Sequence, residues 1–117
     1  MLKKQYRLKN KKAFNAIYKL KNSTHKGGVS LFAGIKKKDS NEPTRVGFVV
    51  SKKTHKRAVK RNRLRRLMRE SYRLLQKENN LYASQDYMSL IFVGTENALD
   101  KPFAQIKTIV TELLKRL

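Results

Sequence analysis

The spacing of apolar residues along the chain predicts three helices and three strands. Apolar residues that recur every three or four positions indicate amphipathic helices, and alternating or short continuous apolar runs indicate strands. In chain order these elements are a helix at 10–20, strands at 29–35 and 45–51, a helix at 64–75, a strand at 87–93 and a helix at 103–117. The order helix-strands-helix-strand-helix predicts an α+β fold, a two-layer sandwich in which one mainly antiparallel sheet has helices packed on one side.

Three aromatic residues lie at the margins of the predicted apolar faces. The first helix, for which Asn10 is the predicted N-cap, carries Phe14 and Tyr18 at the edge of its apolar face. There the two rings fit either a widened core stripe or a pair of stacking platforms for unpaired bases. Phe32 lies on the face of its strand opposite Leu31, where it fits either a second packed layer or contact with a base. Spacing alone leaves both interpretations open.

Two polar segments separate the first three elements. Residues 21–28 form a glycine-ending connection, and residues 36–43 form a loop with a turn at Asp39. Asp39 and Glu42 could together hold a divalent ion weakly, although a solvated loop is the simpler interpretation.

The helix at 64–75 belongs to a strongly basic stretch at 50–75, in which the one acid is Glu70. Opposite its apolar residues, this helix presents a polar stripe of Asn62, Arg66, Arg69 and Arg73. Arginine exceeds lysine here, and the planar guanidinium group suits phosphate oxygens and base edges better than an ammonium group does. Because such a surface repels itself, we expect it to bind a polyanion.

Composition narrows the class of protein further. The chain has 117 residues, with 29 lysine and arginine residues against 8 acidic residues, for a formal net charge of +21. This length predicts one domain, residues 1–117, and the charge is expected to lower its stability at low salt. The absence of cysteine rules out disulfides and thiolate metal sites, and no signal peptide or membrane-length apolar run is visible. These features are typical of a soluble protein that binds nucleic acid.

No arrangement of residues suited to RNA cleavage is evident. The eight acids are scattered through predicted loops and helix surfaces and are not clustered as metal ligands. His25 and His55 are the candidates for acid–base chemistry, and both lie in basic loop sequence. We therefore expect the chain to bind RNA without cleaving it alone.

A motif in the basic stretch resembles that of a known family. Its residues, in order, are Lys52 and Lys53 after a strand, Arg57, the run Arg61-Asn62-Arg63, and then Arg65, Arg66, Arg69 and Glu70. This pattern closely resembles the RNR signature of the protein subunit of bacterial ribonuclease P. The resemblance extends from the helix with Phe14 and Tyr18 through the strand near Ile91 to the closing helix, so it covers nearly the whole chain. It implies a third strand before the basic helix and a left-handed strand-helix-strand crossover, which the general right-handed rule would not predict.

The resemblance also implies a function. The family's protein subunit assists a catalytic RNA in the endonucleolytic removal of the 5′ leader from precursor tRNA, so this chain would be an endoribonuclease subunit with its active centre on the RNA. The implied partners are ribonuclease P RNA and precursor tRNA in the cytoplasm, with no membrane and no protein partner evident. No cofactor is expected on the protein itself, and Mg²⁺ is expected through the RNA subunit. A small structural RNA-binding protein, such as a ribosomal protein, fits the charge and size equally well.

The implied site residues form two groups. Those that would bind RNA are Lys52, Lys53, Arg57, Lys60, Arg61, Asn62, Arg63, Arg65, Arg66, Arg69 and Arg73. Those that would stack on the leader are Phe14, Tyr18 and Phe32. The sequence does not divide the first group between the catalytic RNA and the leader. Residues 24–28 match the family poorly, so no contacts are assigned there.

Overall fold

The computed structural model describes residues 3–8, 11–20, 22–39 and 41–117. The predicted helix cap at Asn10 therefore lies outside the described residues. In chain order the elements are α1 (Lys11–Lys19), β1 (Ser23–Lys26), β2 (Val29–Ala33), β3 (Arg45–Val49), α2 (Ala58–Lys77), β4 (Ser89–Gly94) and α3 (Phe103–Lys115). Short 3-10 helices precede α1 (Lys4–Tyr6), link α2 to β4 (Tyr82–Asp86) and link β4 to α3 (Glu96–Ala98). The predicted α+β class and element order are confirmed.

The four described strands form one sheet in the order β1-β2-β4-β3. The pairs β1–β2 and β2–β4 are antiparallel, whereas β3 and β4 are parallel neighbours joined through α2. Leu31 of β2 and Phe48 of β3 both pair with Phe92 of β4, so these three side chains share one face of the sheet. The parallel pair confirms a strand-helix-strand crossover, and its left-handed sense stays a prediction.

Strand β1 is the third strand that the family resemblance implies before the basic helix. It lies within the segment 21–28, which the apolar pattern alone assigns to a connection, and that assignment is wrong for Ser23–Lys26. Gly27 and Gly28 join β1 to β2, with φ angles of 58° and 87°. Two successive positive φ angles are typical of the tight hairpin turns that match strand twist, which explains why two glycines occupy this turn.

The main core lies between the sheet and helices α2 and α3. Side chains from β2, β3 and β4 on one face of the sheet pack against the apolar stripes of the two helices. Near its centre the Phe48 ring stacks on the Phe92 ring at 5.6 Å, and the Tyr72 ring meets Phe92 edge-on at 6.0 Å. Helix α2 is thus held along its apolar side, which leaves its polar stripe outside.

Helix α1 lies on the opposite face of the sheet, so the predicted placement of the helices on one side is wrong for α1. The ring of Tyr18 contacts the ring of Phe32 at 5.0 Å, and Phe32 is on the face away from the main core. A methyl group placed on Gly47 would lie 2.6 Å from Cε1 of Phe14, on the same side. The apolar edge of α1 therefore packs on the sheet face that α2 and α3 leave open.

Candidate RNA interface

A cleft of about 290 Å³ opens where α1, β3 and α2 meet. It is lined by Arg7, Leu8, Phe14, Val46, Gly47, Phe48, Asn62, Arg65 and Arg69. The floor is apolar and the rim is basic, and no acidic side chain lines it among the described residues. This combination suits a ligand with a flat apolar part and negative charge.

The floor of the cleft exists because β3 carries a glycine. The ring of Phe14 lies so close to Gly47 that a side chain at position 47 would collide with it. With hydrogen in place of a side chain, the ring settles against the strand backbone. Phe14 is half-buried, with the Cε1–Cζ end of its ring against Gly47, and it lines the cleft.

The rim of the cleft is one side of α2. Asn62, Arg65 and Arg69 follow one another at spacings of three and four residues, which places them on the same face of the helix. The Nε atom of Arg65 is buried and has no hydrogen-bond partner among the described residues. A buried donor without a partner loses solvation that a ligand oxygen would restore. The rim is therefore suited to binding phosphate oxygens.

The predicted leader-binding aromatics do not all line this cleft. Phe14 does, whereas Tyr18 and Phe32 pack against each other with their ring planes at 88°. Burial raises the pKa of Tyr18 above its usual value. Phe32 also lies 6.4 Å from the ring of His25, and His25 Nδ1 lies 2.5 Å from the hydroxyl oxygen of Ser30. The three aromatics lie along the same sheet face, with Phe14 at its cleft end.

The other predicted RNA-binding residues differ in what they contact. Lys52 and Lys53 are exposed in the turn before α2, and Arg57 is exposed at the residue before its first turn. Arg66 is exposed on the outer side of α2. The Nε atom of Arg61 is buried without a hydrogen-bond partner among the described residues.

Two of the predicted RNA-binding residues form surface ion pairs. Lys60 Nζ lies 2.8 Å from Asp100 Oδ1, and this hydrogen bond lowers the pKa of Asp100. Arg73 donates two hydrogen bonds to Glu70 Oε2, at 3.2 and 3.0 Å, which lower the pKa of Glu70. Exposed pairs of this kind contribute little to stability, so both cations remain available to another anion.

Arg63 has an internal role that the sequence did not indicate. Its Nη1 donates to the backbone carbonyl of Leu99 at 2.9 Å, and its Nη2 donates to that of Lys101 at 3.1 Å. Its guanidinium group is thus directed at the loop before α3.

The sequence missed several cleft residues that come from outside the signature. Arg7 and Leu8 reach the cleft because they run beside β3, where Leu8 N donates to Val46 O at 2.9 Å and Arg7 forms a bridge with Val46. Nothing in the local pattern indicates this contact, since it joins segments far apart in sequence. Gly47 falls within the predicted strand 45–51, but its close approach to Phe14 is set by the tertiary fold.

The structure gives no further support to an ion site at residues 39–42. Asp39 Oδ1 accepts a hydrogen bond from the backbone of Asn41 at 2.9 Å, so it holds its own turn. Within the described residues, no group of three or more His, Cys, Asp or Glu side chains is arranged to hold a metal ion.

In the part of the chain that the structure describes, no helix has the length and apolar character needed to cross a membrane.

The fold and the site together define a small α+β protein with a basic helix beside an aromatic cleft, a class suited to single-stranded nucleic acid. Residues 2–117 match the family described as Ribonuclease P. The chain is 36% identical over 115 residues to the ribonuclease P protein component of Symbiobacterium thermophilum, covering 98% of this chain and 93% of that protein. This chain belongs to the ribonuclease P protein family.

Other relatives agree with this assignment. The ribonuclease P protein component of Clostridium novyi is 31% identical over 115 residues, covering 98% of this chain and 96% of that protein. The solved structure of the Staphylococcus aureus RNase P protein superposes with a TM-score of 0.72 at 26% identity, covering 97% of this chain and 95% of that chain. The resemblance carried by the RNR signature is confirmed, and the ribosomal-protein alternative is not supported.

Proposed function

We propose that this protein serves ribonuclease P by binding the single-stranded 5′ leader of precursor tRNA in the cleft and the catalytic RNA along the outer side of α2. The observation that carries the proposal is the meeting of Phe14 with Asn62, Arg65 and Arg69 in one cleft. An aromatic ring can stack on any unpaired base, and basic side chains bind phosphates without reading sequence. Both properties suit a leader whose sequence varies from one tRNA to another.

In this proposal the chain contributes binding and the RNA subunit contributes the active centre. The endonucleolytic step needs metal ions to activate water and stabilise the leaving oxygen, and we assign Mg²⁺ to the RNA subunit, as the family resemblance implies. The protein acts as one domain in the cytoplasm. Its charge of +21 offsets phosphate repulsion where the leader and the catalytic RNA approach each other.

The phosphate-binding surface combines the rim of the cleft, the exposed turn before α2 and the two cations held in weak ion pairs. Its members are Lys52, Lys53, Arg57, Lys60, Arg61, Asn62, Arg65, Arg66, Arg69 and Arg73. Arg63, the remaining cation of the signature, donates instead to the backbone carbonyls of Leu99 and Lys101. Tyr18 and Phe32 extend the aromatic surface from the cleft along the same sheet face.

The first test replaces Phe14 with leucine, which keeps apolar volume and removes the stacking ring. Stacking of an aromatic ring on a base is typically worth about 1–3 kcal/mol. The reconstituted holoenzyme should therefore lose affinity by that amount for precursor tRNA with its leader, and should keep its affinity for leaderless tRNA. Binding curves on both substrates give the measurement.

Phe103→Leu is the matched control, because Phe103 is a half-buried aromatic at the start of α3, away from the cleft. It should change neither affinity. Equal losses on both substrates for Phe14→Leu would assign Phe14 to the core and leave the leader without a site.

A second test changes the floor of the cleft without removing any aromatic side chain. In Gly47→Ala the new methyl group would lie 2.6 Å from Phe14 Cε1, so the ring must move out of its present position. We expect leader affinity to fall to the level of Phe14→Leu, and the two substitutions combined to add little more, because they act on the same ring. Fully additive losses in a double-mutant cycle would contradict this picture.

A further inference from the structure

Arg63 differs from the other signature arginines in the direction of its side chain. Arg63 and Lys60 lie on the side of α2 that faces the loop at residues 99–101. Lys60 donates to Asp100 in this loop, and Arg63 donates to the carbonyls of Leu99 and Lys101. The two carbonyls are 2.9 and 3.1 Å from the two terminal nitrogens of one guanidinium group. Arg66, one helical turn further on, is exposed.

The contact provides hydrogen-bond donors for two backbone carbonyls of the loop. Leu99 directly follows the 3-10 helix Glu96–Ala98, at an end where carbonyl groups have no partner within the helix. The residue itself is buried, at 3% exposure. A guanidinium group can donate to two carbonyls at once because its donors form a fixed planar fork. An ammonium group at this position could serve one carbonyl well and not both.

The segment between β4 and α3 also holds the β1–β2 turn. Lys101 Nζ donates to the carbonyl of Gly27 at 2.7 Å, and Thr95 Oγ1 donates to that of Gly28 at 2.7 Å. Residues 99–101 are therefore fixed between the hairpin turn on one side and α2 on the other. The connection to α2 runs through Lys60 and Arg63.

We propose that Arg63 is a positioning residue, which fixes the first half of α2 on the loop at residues 99–101, and not a phosphate ligand as the signature predicts. The inference rests on the proposed function, in which the outer side of α2 binds RNA. Asn62, which precedes Arg63 in the chain, lines the cleft rim. Its position is therefore set by this half of the helix.

Salt dependence separates the two roles. A phosphate ligand contributes about 0.7 to 0.9 to the slope of log affinity against log salt, because its contact releases a counterion. A positioning residue contributes nothing to the slope, and its loss moves the whole line down in parallel. The experiment measures the binding of the full chain to ribonuclease P RNA across a salt series for wild type, Arg63→Gln, Arg63→Lys and the matched control Arg66→Gln.

We expect Arg66→Gln to lower the slope, and Arg63→Gln to leave the slope unchanged with roughly three- to tenfold weaker binding at every salt concentration, the scale of one or two lost hydrogen bonds. Arg63→Lys keeps the charge but not the fork, so it should show a similar parallel loss. Hydrogen exchange should show faster exchange in the first half of α2 and at residues 99–101 in both Arg63 variants. Measurements are made at a temperature at which circular dichroism shows each variant fully folded.

A lower slope for Arg63→Gln, with wild-type binding by Arg63→Lys, would make Arg63 a phosphate ligand and overturn the proposal. Wild-type affinity in both folded Arg63 variants would also overturn it, since the contact would then serve stability alone. If Arg66→Gln leaves the slope unchanged, the proposed RNA surface fails, and hydrogen exchange still decides whether Arg63 positions α2. Should Arg63→Gln not fold, Arg63→Lys carries the same comparison.

Discussion

Tyr72 places a hydroxyl group inside the main core. Its side chain has no solvent exposure and lies against the rings of Phe48 and Phe92, while Gln85 Nε2 donates to its oxygen at 3.0 Å. Burial disfavours the phenolate and raises the pKa of Tyr72 to about 12, and the hydrogen bond from Gln85 opposes that rise in part. The folded protein therefore keeps this group neutral at alkaline pH at which an unfolded chain would ionise it.

The stability of the protein should fall as the pH rises from about 10 to about 12, because in this window the unfolded chain releases the Tyr72 proton and the folded chain retains it. The contribution of this one group amounts to about 1.4 kcal/mol per pH unit at most. Urea unfolding between pH 9 and pH 11 measures the effect as the difference between wild type and Tyr72→Phe.

This difference isolates Tyr72 because the many lysines titrate equally in both proteins. The advantage of wild type over Tyr72→Phe should shrink, or its disadvantage should grow, with each step in pH. A constant difference across the range would show that Tyr72 ionises in the folded state as readily as in the unfolded chain.

Helix α2 combines two functions on two faces. Its buried side is formed by Leu64, Met68, Ser71, Tyr72 and Leu75. The three- and four-residue spacing predicts all of these except Tyr72, and it also predicts Leu67 and Leu74, which are half-buried. Its outer side carries the exposed or rim-lining arginines. Since the two faces touch different surroundings, stability and RNA binding should respond separately to substitutions in the same helix.

Leu64→Ala should lower the free energy of unfolding by about 2–5 kcal/mol, because Leu64 has no solvent exposure and packs next to Gly94. Arg66→Ala should change it by less than about 0.5 kcal/mol, since Arg66 is exposed. Urea unfolding gives both values. A large stability loss for Arg66→Ala would mean that the outer face of α2 supports the fold as well as the binding.

The sequence predicted elements with a strong apolar period and missed those without one. Helix α3 and strand β4 were found near their true ends because nearly every core position in them is apolar. The apolar pattern missed strand β1 because Ser23–Lys26 is polar and mostly exposed. The strand is stabilised by its backbone pairing with β2 and not by burial of its side chains. The side on which α1 packs depends on tertiary contacts, so a count of apolar positions could not fix it.

The candidate site was also predicted only in part, because some of its residues are brought together by tertiary contacts. The signature residues were found because they form a dense basic stretch that resembles the family motif. Phe14 was assigned to the leader through the family resemblance, since its spacing alone left a core position open. Arg7, Leu8 and Gly47 join the cleft through the contact of the N-terminal segment with β3, and the carbonyl contacts of Arg63 join residues more than thirty positions apart. Local sequence carries no signal for either.

At the scale of the whole molecule, charge opposes folding. A net charge of +21 on 117 residues creates strong repulsion. The ion pairs found among the described residues lie at the surface and contribute little against it. Bound polyanion relieves that repulsion in the folded state. Stability and binding are thus linked through the electrostatics of the entire chain.

A polyanion should raise the melting temperature of the isolated protein. Heparin at one hundred times its dissociation constant should add about 2.7 kcal/mol to the free energy of unfolding, provided it binds the unfolded chain weakly. Differential scanning fluorimetry with heparin, and with uncharged dextran of similar size as the control, measures the shift. An equal shift with dextran would point to excluded volume. No shift with either would mean that heparin binds the unfolded chain as tightly as the folded protein, which would contradict the prediction.

The position of β4 in the sheet determines when the protein can fold during synthesis. This strand is the last of the four described strands to be made, yet it lies between β2 and β3 and pairs with both. Before residues 89–94 leave the ribosome, β2 and β3 lack the strand that joins them, and the β1–β2 hairpin is the one strand pair of the described sheet that can form. The nascent chain is then a growing polycation with uncovered apolar strands, a state prone to aggregation. A fragment whose translation stops before residue 89 can form the β1–β2 hairpin but not the rest of the described sheet, so it is not a smaller folded unit.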